Sequence, residues 1–469
     1  MKKFFEKYDL LKVSGILVLV AVVMTWAFQG TDIIGEEVTR VGLSTFFIQG
    51  VLGTLSNFAV LIAFLFITGG FYQVLSKRAG YQKLVKTIGE KLKGFEIPVV
   101  LSIMLIFAIL TSLMNEYFPL LALVPFFIAI LSRLKVDKIT AFTSTFGGML
   151  IGAMGSTFST KVVTPLTQYV GVKVEDILTT QTIIFVITFV ALGVFTIIRL
   201  VKAKKDKKDK KFEEYDLFIE EVSEKKSKES KKVRMWPYAT MMILLIVTVA
   251  LAYLPWSTWK VEFFTELTKK VNEFTIFGQP IISYIIGTFV EFGSWEIYTT
   301  QNVMLIAILL IKIFGKVPLD EIFESFGKSF TKMGKTVLVM MMVYFIVEIA
   351  VLFPVIPGIA QWLAGLTEGF NAFTTSLGTF LTSLFGGEME YVARLVGPVY
   401  TQIYTDIQPT LAIIFQSIFG FVSFFVPSSV ILMMGLSYLD IKYKDWLKFI
   451  WKFLLVMLVA IVIIIAVIA

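Results

Sequence analysis

Apolar runs of about 20 residues recur from one end of this chain to the other, and no single soluble core can absorb them. Wound as an α-helix that rises 1.5 Å per residue, such a run crosses about 30 Å of hydrocarbon. The clearest are residues 11–29, 55–75, 182–200, 236–255, 302–314, 335–353 and 445–468, the run at 302 needing its flanks in order to span. With 57% hydrophobic residues in a chain of 469 and a mean hydropathy of +0.81, the bilayer has to be the solvent. The expected fold class is an all-α multi-pass membrane protein of about 10 spans. Lys2, Lys3 and Lys7 precede the first run as they would in a secretory signal. The chain then continues TWAFQG without a small-x-small cleavage site, so the first run is read as an uncleaved span.

Cysteine and histidine are both absent. That removes disulfides, thiolate and imidazole metal sites, Ser-His-Asp triads and cysteine nucleophiles together, and leaves carboxylates, Lys or Tyr to handle any proton. The sequence carries no metal-ligand cluster, phosphate-binding glycine loop or nucleophile with a base, so no enzyme and no cofactor is expected. The net charge of +8 does not point to nucleic acid, because the basic residues concentrate in short segments beside the spans. That is the pattern of the positive-inside rule.

The same rule supplies an orientation. Residues 202–234 (KAKKDKKDKKFEEYDLFIEEVSEKKSKESKKVR) mix both signs of charge with few apolar side chains, which reads as a cytoplasmic linker unable to pack a core. Placing the basic turns at 77–93, 133–138, 312–335 and 442–452 on the same side puts the N-terminus in the cytoplasm and the C-terminus outside the plasma membrane. The expected divisions are an N-terminal span with an interfacial segment (1–54), a first transport repeat (55–201), the linker (202–235), scaffold spans (236–335) and a second, inverted repeat (336–469). Residues 257–297 read as an interfacial helix followed by a partial span.

The repeat rests on two interruptions in each half. Between Lys93 and Arg133 an apolar stretch too long for one crossing is flanked by charge at both ends and broken centrally by TSLMNEY at 111–117, which reads as a re-entrant hairpin with a polar tip. Residues 139–170 are broken by GAMGSTFSTKVVTP, which reads as a discontinuous helix. The second half repeats the order with TSLFGGEMEYVARLVGP at 382–398 and FGFVSFFVPSSV at 419–430. Glu116 precedes Ser156 by 40 residues and Glu390 precedes Ser428 by 38, so Glu116-Tyr117 is matched with Glu390-Tyr391. Hairpins opening from opposite faces make the repeats inverted, the arrangement of secondary transporters. Broken backbone at membrane depth is tolerated only where protein or a water-filled cavity satisfies it, and helix ends placed there attract ions.

Glu116, Glu291, Glu348, Glu388, Glu390 and Arg394 lie within or beside apolar segments, where a charge costs about 2.5–3.5 kcal/mol or more to insert. Glu291 and Glu348 also fit interfacial structural positions. Arg394 follows Glu390 by four residues, close enough on a helix for mutual neutralisation. The remaining surplus of carboxylate favours a cationic substrate, a proton or a sodium ion over a dicarboxylate.

These segments carry a resemblance. GGFYQVLSKRAGYQKLVKTIGEKLKG from Gly69, TSLMNEYFPLLALVPFFIAILSRL, GGMLIGAMGSTFSTKVVTPL and the ending VPSSVILMMGLSYLDIKYKDWLKFIWKFLL resemble the YfcC-type basic amino-acid antiporter family. That family lies within the ion transporter superfamily, which also holds C4-dicarboxylate carriers. The resemblance implies a homodimer whose protomers each combine a scaffold with a mobile transport domain. It lays the first acidic hairpin on Asn115 and Glu116, the small polar break on Ser156, Thr157, Ser159 and Thr160, and the Pro-Thr-Ser-Gly signature on Pro427, Ser428, Ser429 and Val430. Val430 replaces the glycine, GGEMEY replaces a Ser/Gly-rich turn, and the Ser-Asn-Thr clamps of the dicarboxylate carriers are missing. The expectation is a secondary transporter in the lipid bilayer that exchanges a small solute, arginine against ornithine. Glu116, Glu388 and Glu390 would meet the cationic groups, and Ser156, Thr157, Ser159, Ser428 and Ser429 would hold its carboxylate or a coupling ion. The alternative is a C4-dicarboxylate or other carboxylate transporter coupled to Na+ or H+.

Overall fold

The computed structural model describes residues 9–33, 36–206, 214–218, 233–280, 284, 287–352 and 355–468. Helices dominate, and the only strands among the described residues are a two-residue antiparallel pair, β1 (Asp32–Ile33) with β2 (Glu36–Glu37). The first half runs α1 (Asp9–Ala27), α2 (Ala59–Ser76), α3 (Ala79–Lys91), α4 (Glu96–Leu113) and α5 (Val124–Arg133). It continues with α6 (Lys138–Phe142), a π-helical turn (Thr143–Gly147), α7 (Gly148–Met154), α8 (Val163–Val170) and the long α9 (Val174–Asp206). Between the halves lie α10 (Trp236–Ala252), α11 (Phe263–Glu273) and α12 (Ile297–Gly315). The second half comprises α13 (Leu319–Leu352), α14 (Val355–Ala364), α15 (Ala372–Gly386), α16 (Met389–Ile403), α17 (Gln408–Ser423), α18 (Val430–Tyr438) and α19 (Tyr443–Ile468).

Among the described residues seven helices are long and apolar enough to cross a membrane: α1, α2, α4, α9, α12, α13 and α19. Six coincide with the runs read from the sequence, and the run at 302 gains its flanks as Ile297–Gly315. The seventh, α4, is the first arm of the hairpin. The run at 236 forms the shorter α10, which joins α5, α14 and α17 as apolar helices of 10–17 residues.

Hydrogen bonds at the helix ends establish the inversion. Asp9 accepts from the Tyr443 amide (2.9 Å), so α1 and α19 start at one face, while Thr410 donates to the Ile468 carbonyl (3.3 Å), so α17 starts at the opposite one. The α4–α5 hairpin has both ends at the lysine-rich first face. Its partner α15–α16 has both ends at the other face, where Phe370 and Tyr404 meet edge to face at 5.4 Å. Local chemistry starts these helices: Asn371 caps α15 by accepting from the amides of Phe373 and Thr374, and Asp137 caps α6 through Thr140. In each half the order is hairpin, broken helix, long return span.

Two readings change here. The linker is not uniformly unable to pack, because Phe218 within it is only 2% exposed. In the stretch 257–297, α11 has no buried residue and an amphipathic pattern, in keeping with an interfacial helix. No partial span follows it among the described residues. Instead, Asn272 holds an irregular segment by bonding both the amide and the carbonyl of Phe289 (2.8 and 3.0 Å).

Candidate functional site

A helix leaves its last carbonyls without intrahelical partners, and at membrane depth something other than bulk water has to supply them. At the end of α4 the break between α7 and α8 does so. The Ser112 carbonyl accepts from the backbone amides of Thr157, Phe158 and Ser159, each at 3.1 Å, and the Ser156 hydroxyl adds a bond at 3.3 Å. Ser112 in turn donates through Oγ to the Gly155 carbonyl (3.1 Å). Gly152 permits this approach, since a Cβ there would lie 2.4 Å from the Ala108 carbonyl oxygen on α4. The small polar residues of the first break therefore fasten the hairpin end, and the buried Ser159 hydroxyl has no hydrogen-bond partner among the described residues.

The tip itself is held from the scaffold side. The Asn115 amide donates to the Tyr253 carbonyl (2.7 Å), its side-chain Nδ2 donates to the Gly293 carbonyl (2.6 Å), and Thr160 donates to the Asn115 carbonyl. Glu116 accepts from the Phe118 amide (3.1 Å) through one oxygen and pairs through the other with Lys161 Nζ at 3.2 Å.

The second half is built alike. Ser428 in the break between α17 and α18 donates to the Leu384 carbonyl near the end of α15 (2.7 Å), and Ser429, also buried, starts α18. The tip turns at Gly387, whose φ of +68° lies in the left-handed region that favours glycine. Glu388, 5% exposed, then directs its carboxylate at the same lysine: Oε2 lies 3.9 Å from Lys161 Nζ, and Oε1 accepts from the Tyr344 hydroxyl of α13 at 2.7 Å. Phe58 stacks on the Tyr344 ring with centroids 3.4 Å apart.

Lys161 thus joins both hairpin tips. A cleft of about 560 Å³ opens beside it, with Asn115, Glu116, Thr160 and Lys161 on one wall and residues 293–298 on the other. Partly buried Lys161 and Glu116, with the buried Glu388 behind them, thus bring charges of opposite sign together beside an accessible cavity.

A family model described as C4-dicarboxylate anaerobic carrier, DcuC, matches residues 2–469. The chain belongs to the DcuC family. It is a multi-pass membrane transporter of the secondary type. Among solved structures, the chain is similar to the YdaH transporter of Alcanivorax borkumensis, with 13% identity over 98% of each chain and a TM-score of 0.37. It is also similar to MtrF of Neisseria gonorrhoeae, from a class described as antimetabolite efflux pumps, with 12% identity over 97% of this chain and 94% of that one and a TM-score of 0.30. Both likenesses are too distant to bear on mechanism. No curated protein matches the chain.

In this DcuC-family chain the candidate residues separate into groups. Asn115, Glu116 and Thr160 line the cleft, and Glu388 reaches the same lysine from behind. Ser156, Thr157 and Ser428 spend their bonds on the hairpin ends, and Pro427 is half-buried in the second break. Glu390 and Arg394 are exposed on α16, and no ion pair joins them, so the expected mutual neutralisation does not occur. Matching Glu116 with Glu390 by the Glu-Tyr pair is off by two residues, because it is Glu388 that occupies the equivalent tip. Glu348 accepts from Asn57 (2.7 Å) and Glu291 from Thr265, both outside the cluster.

The residues missed were Lys161 and Tyr344. Lys161 had a signal: it is a charge inside an interrupted apolar run, the criterion that singled out the glutamates. Tyr344 had none, being one tyrosine in a continuous apolar helix.

Proposed function

We propose that this carrier moves a small dicarboxylate of the four-carbon class by alternating access, with Lys161 as the charge partner of a substrate carboxylate. The observation that carries this reading is the position of Lys161, between Glu116 and Glu388 and on the wall of the cleft. Its ammonium is already paired, so an anion can engage it only as a glutamate withdraws. Protonation of Glu116 or Glu388, or a sodium ion beside it, releases the lysine. Binding of the coupling cation and of the anionic substrate then assist each other, a reciprocal linkage that is the basis of symport. The family description supports the four-carbon class. The positive-inside rule supports a cytoplasmic location for the lysine-rich face, with the cleft open to the other side.

Basic amino-acid exchange is a second reading, and one observation favours it: two carboxylates face a single lysine, and Asn115 Oδ1 is a buried acceptor with no partner among the described residues. An amino acid would set its carboxylate on Lys161 and its side-chain cation on Glu116.

Counterflow in proteoliposomes separates the two. Labelled succinate should exchange against internal malate, with uptake rising on an inward proton or sodium gradient. Exchange of labelled arginine against ornithine, with no dicarboxylate flux under any gradient, would replace the first reading by the second.

A further inference from the structure

The structure assigns to linker residues 214–218 the role of a gate that closes the lysine-rich side of the transport path. This gate rests on the transport reading above and governs access to the same site.

The segment is Glu-Tyr-Asp-Leu-Phe, bounded by highly charged sequence. Its first two residues fasten to the outer end of the first hairpin. Glu214 pairs with Arg133 at 2.8 Å, the Tyr215 amide donates to Ser132 Oγ (3.3 Å), and the Tyr215 hydroxyl donates to the Val136 carbonyl (2.8 Å). Its last residue goes inward. The Phe218 ring is buried against Tyr72 of α2 (centroids 6.2 Å, 26° between planes) and Tyr438 at the end of α18 (6.5 Å). The Lys332 ammonium of α13 sits 5.9 Å from its centroid, within cation–π range.

One short segment therefore touches the first hairpin, the second broken helix and both central helices, α2 and α13. Opening the path on this side requires the hairpins and broken helices to shift against α2 and α13, and a side chain wedged among all of them opposes that shift. Above Phe218 only about 20 Å³ of void remains, walled by Thr68, Phe146, Thr336 and neighbouring apolar side chains. That is room for about one water molecule. On the opposite side the cleft of about 560 Å³ reaches Lys161. The path is open at one end and stopped at the other, and the stopper belongs to the linker. A covalently attached segment acts at high effective concentration, so a few contacts suffice to hold it and their loss releases it.

The chain has no cysteine of its own, which makes the test direct. Thr336→Cys places a reporter beside the void, and an impermeant thiol reagent is applied from the lysine-rich side of inside-out vesicles. Adding Phe218→Ala should raise the labelling rate several-fold, with no rise when the reagent is applied from the other side. Labelling that is equally fast with and without Phe218 would overturn the gate. This readout needs no substrate, so it stands apart from the identity of the solute. A second variant pair, Ser132→Cys with Tyr215→Cys, bridged by a short bis-methanethiosulfonate, should lose uptake and regain it on reduction. Full uptake in the bridged protein would overturn the gate even if Phe218→Ala fails to fold.

Discussion

The two hairpin tips are built by the same device and end with different chemistry. In each, a small polar break from the following helix satisfies carbonyls at the end of the first hairpin arm, through Ser112 in one half and Leu384 in the other. In each, a glutamate stands just beyond the turn. The breaks then diverge: the first carries Lys161, whereas the second reads Pro427-Ser428-Ser429 and carries no charge. A single lysine consequently serves both glutamates, and the two half-sites merge into one centre. Repetition accounts for the architecture of the tips, and a departure from repetition accounts for the chemistry between them.

The sharpest way to break this comparison is to remove the lysine. Lys161→Met leaves Glu116 and the buried Glu388 without their shared counter-charge, and an uncompensated buried charge such as that of Glu388 costs about 3–5 kcal/mol. Uptake in proteoliposomes should fall about 100-fold or more, since about 1.4 kcal/mol is a factor of ten. Near-normal uptake by this variant would remove Lys161 from the centre.

The backbones of the two tips come next. Gly152→Ala would set a Cβ 2.4 Å from the Ala108 carbonyl and should cost about 1–3 kcal/mol through overpacking. Gly387→Ala meets a positive φ and the Val347 side chain, with about 1–2 kcal/mol from the backbone alone. Both should lower the midpoint of thermal unfolding in detergent, and an unchanged midpoint would mean that the hairpins do not need such close contact.

Tyr344→Phe removes the donor to Glu388 while keeping the ring on Phe58. A loss of about 1–1.5 kcal/mol is expected, roughly tenfold in uptake. The same substitution should leave a Lys161→Met background almost unchanged if the three groups act as one unit, and additive losses in that cycle would separate them.

The smallest effect lies where the second broken helix reaches the lysine-rich face. Asp440 accepts from Lys335, which holds its carboxyl below the usual carboxylate range. A lowered carboxyl stabilises the folded protein above its ordinary titration range, and that contribution is lost as pH falls through the lowered value. Because 75% of the Asp440 side chain is exposed, the pair is worth about 0.2–1 kcal/mol. Asp440→Asn should therefore flatten the acid side of the unfolding profile slightly, and an identical profile would make the pair idle.

The membrane spans were legible because hydropathy is a local property, and six of the seven runs read from sequence became long helices. The hairpins and breaks were legible for a related reason, since glycine, serine and threonine inside an apolar run interrupt it wherever it folds. Charge counting did less well. It passed over Lys161, which lay within a motif read only for its hydroxyls. It also matched Glu390 where Glu388 was needed, because the two tips were aligned on the Glu-Tyr pair that only the first tip places at its turn.

What the sequence determined by itself is the solvent of the fold, the repeated order of hairpin, break and span, and the opposite directions of the two halves. All three follow from composition and charge along a line. Which charge meets which was decided by tertiary structure alone: Lys161 finds Glu388 across more than 200 positions of chain, and Tyr344 finds it from a third element. The placement of Phe218 belongs to the same class, for a polar linker gives no local sign that one of its rings fits a gap between distant helices. Local propensity acts residue by residue, whereas a site at the meeting of two inverted repeats exists only once both have folded against each other.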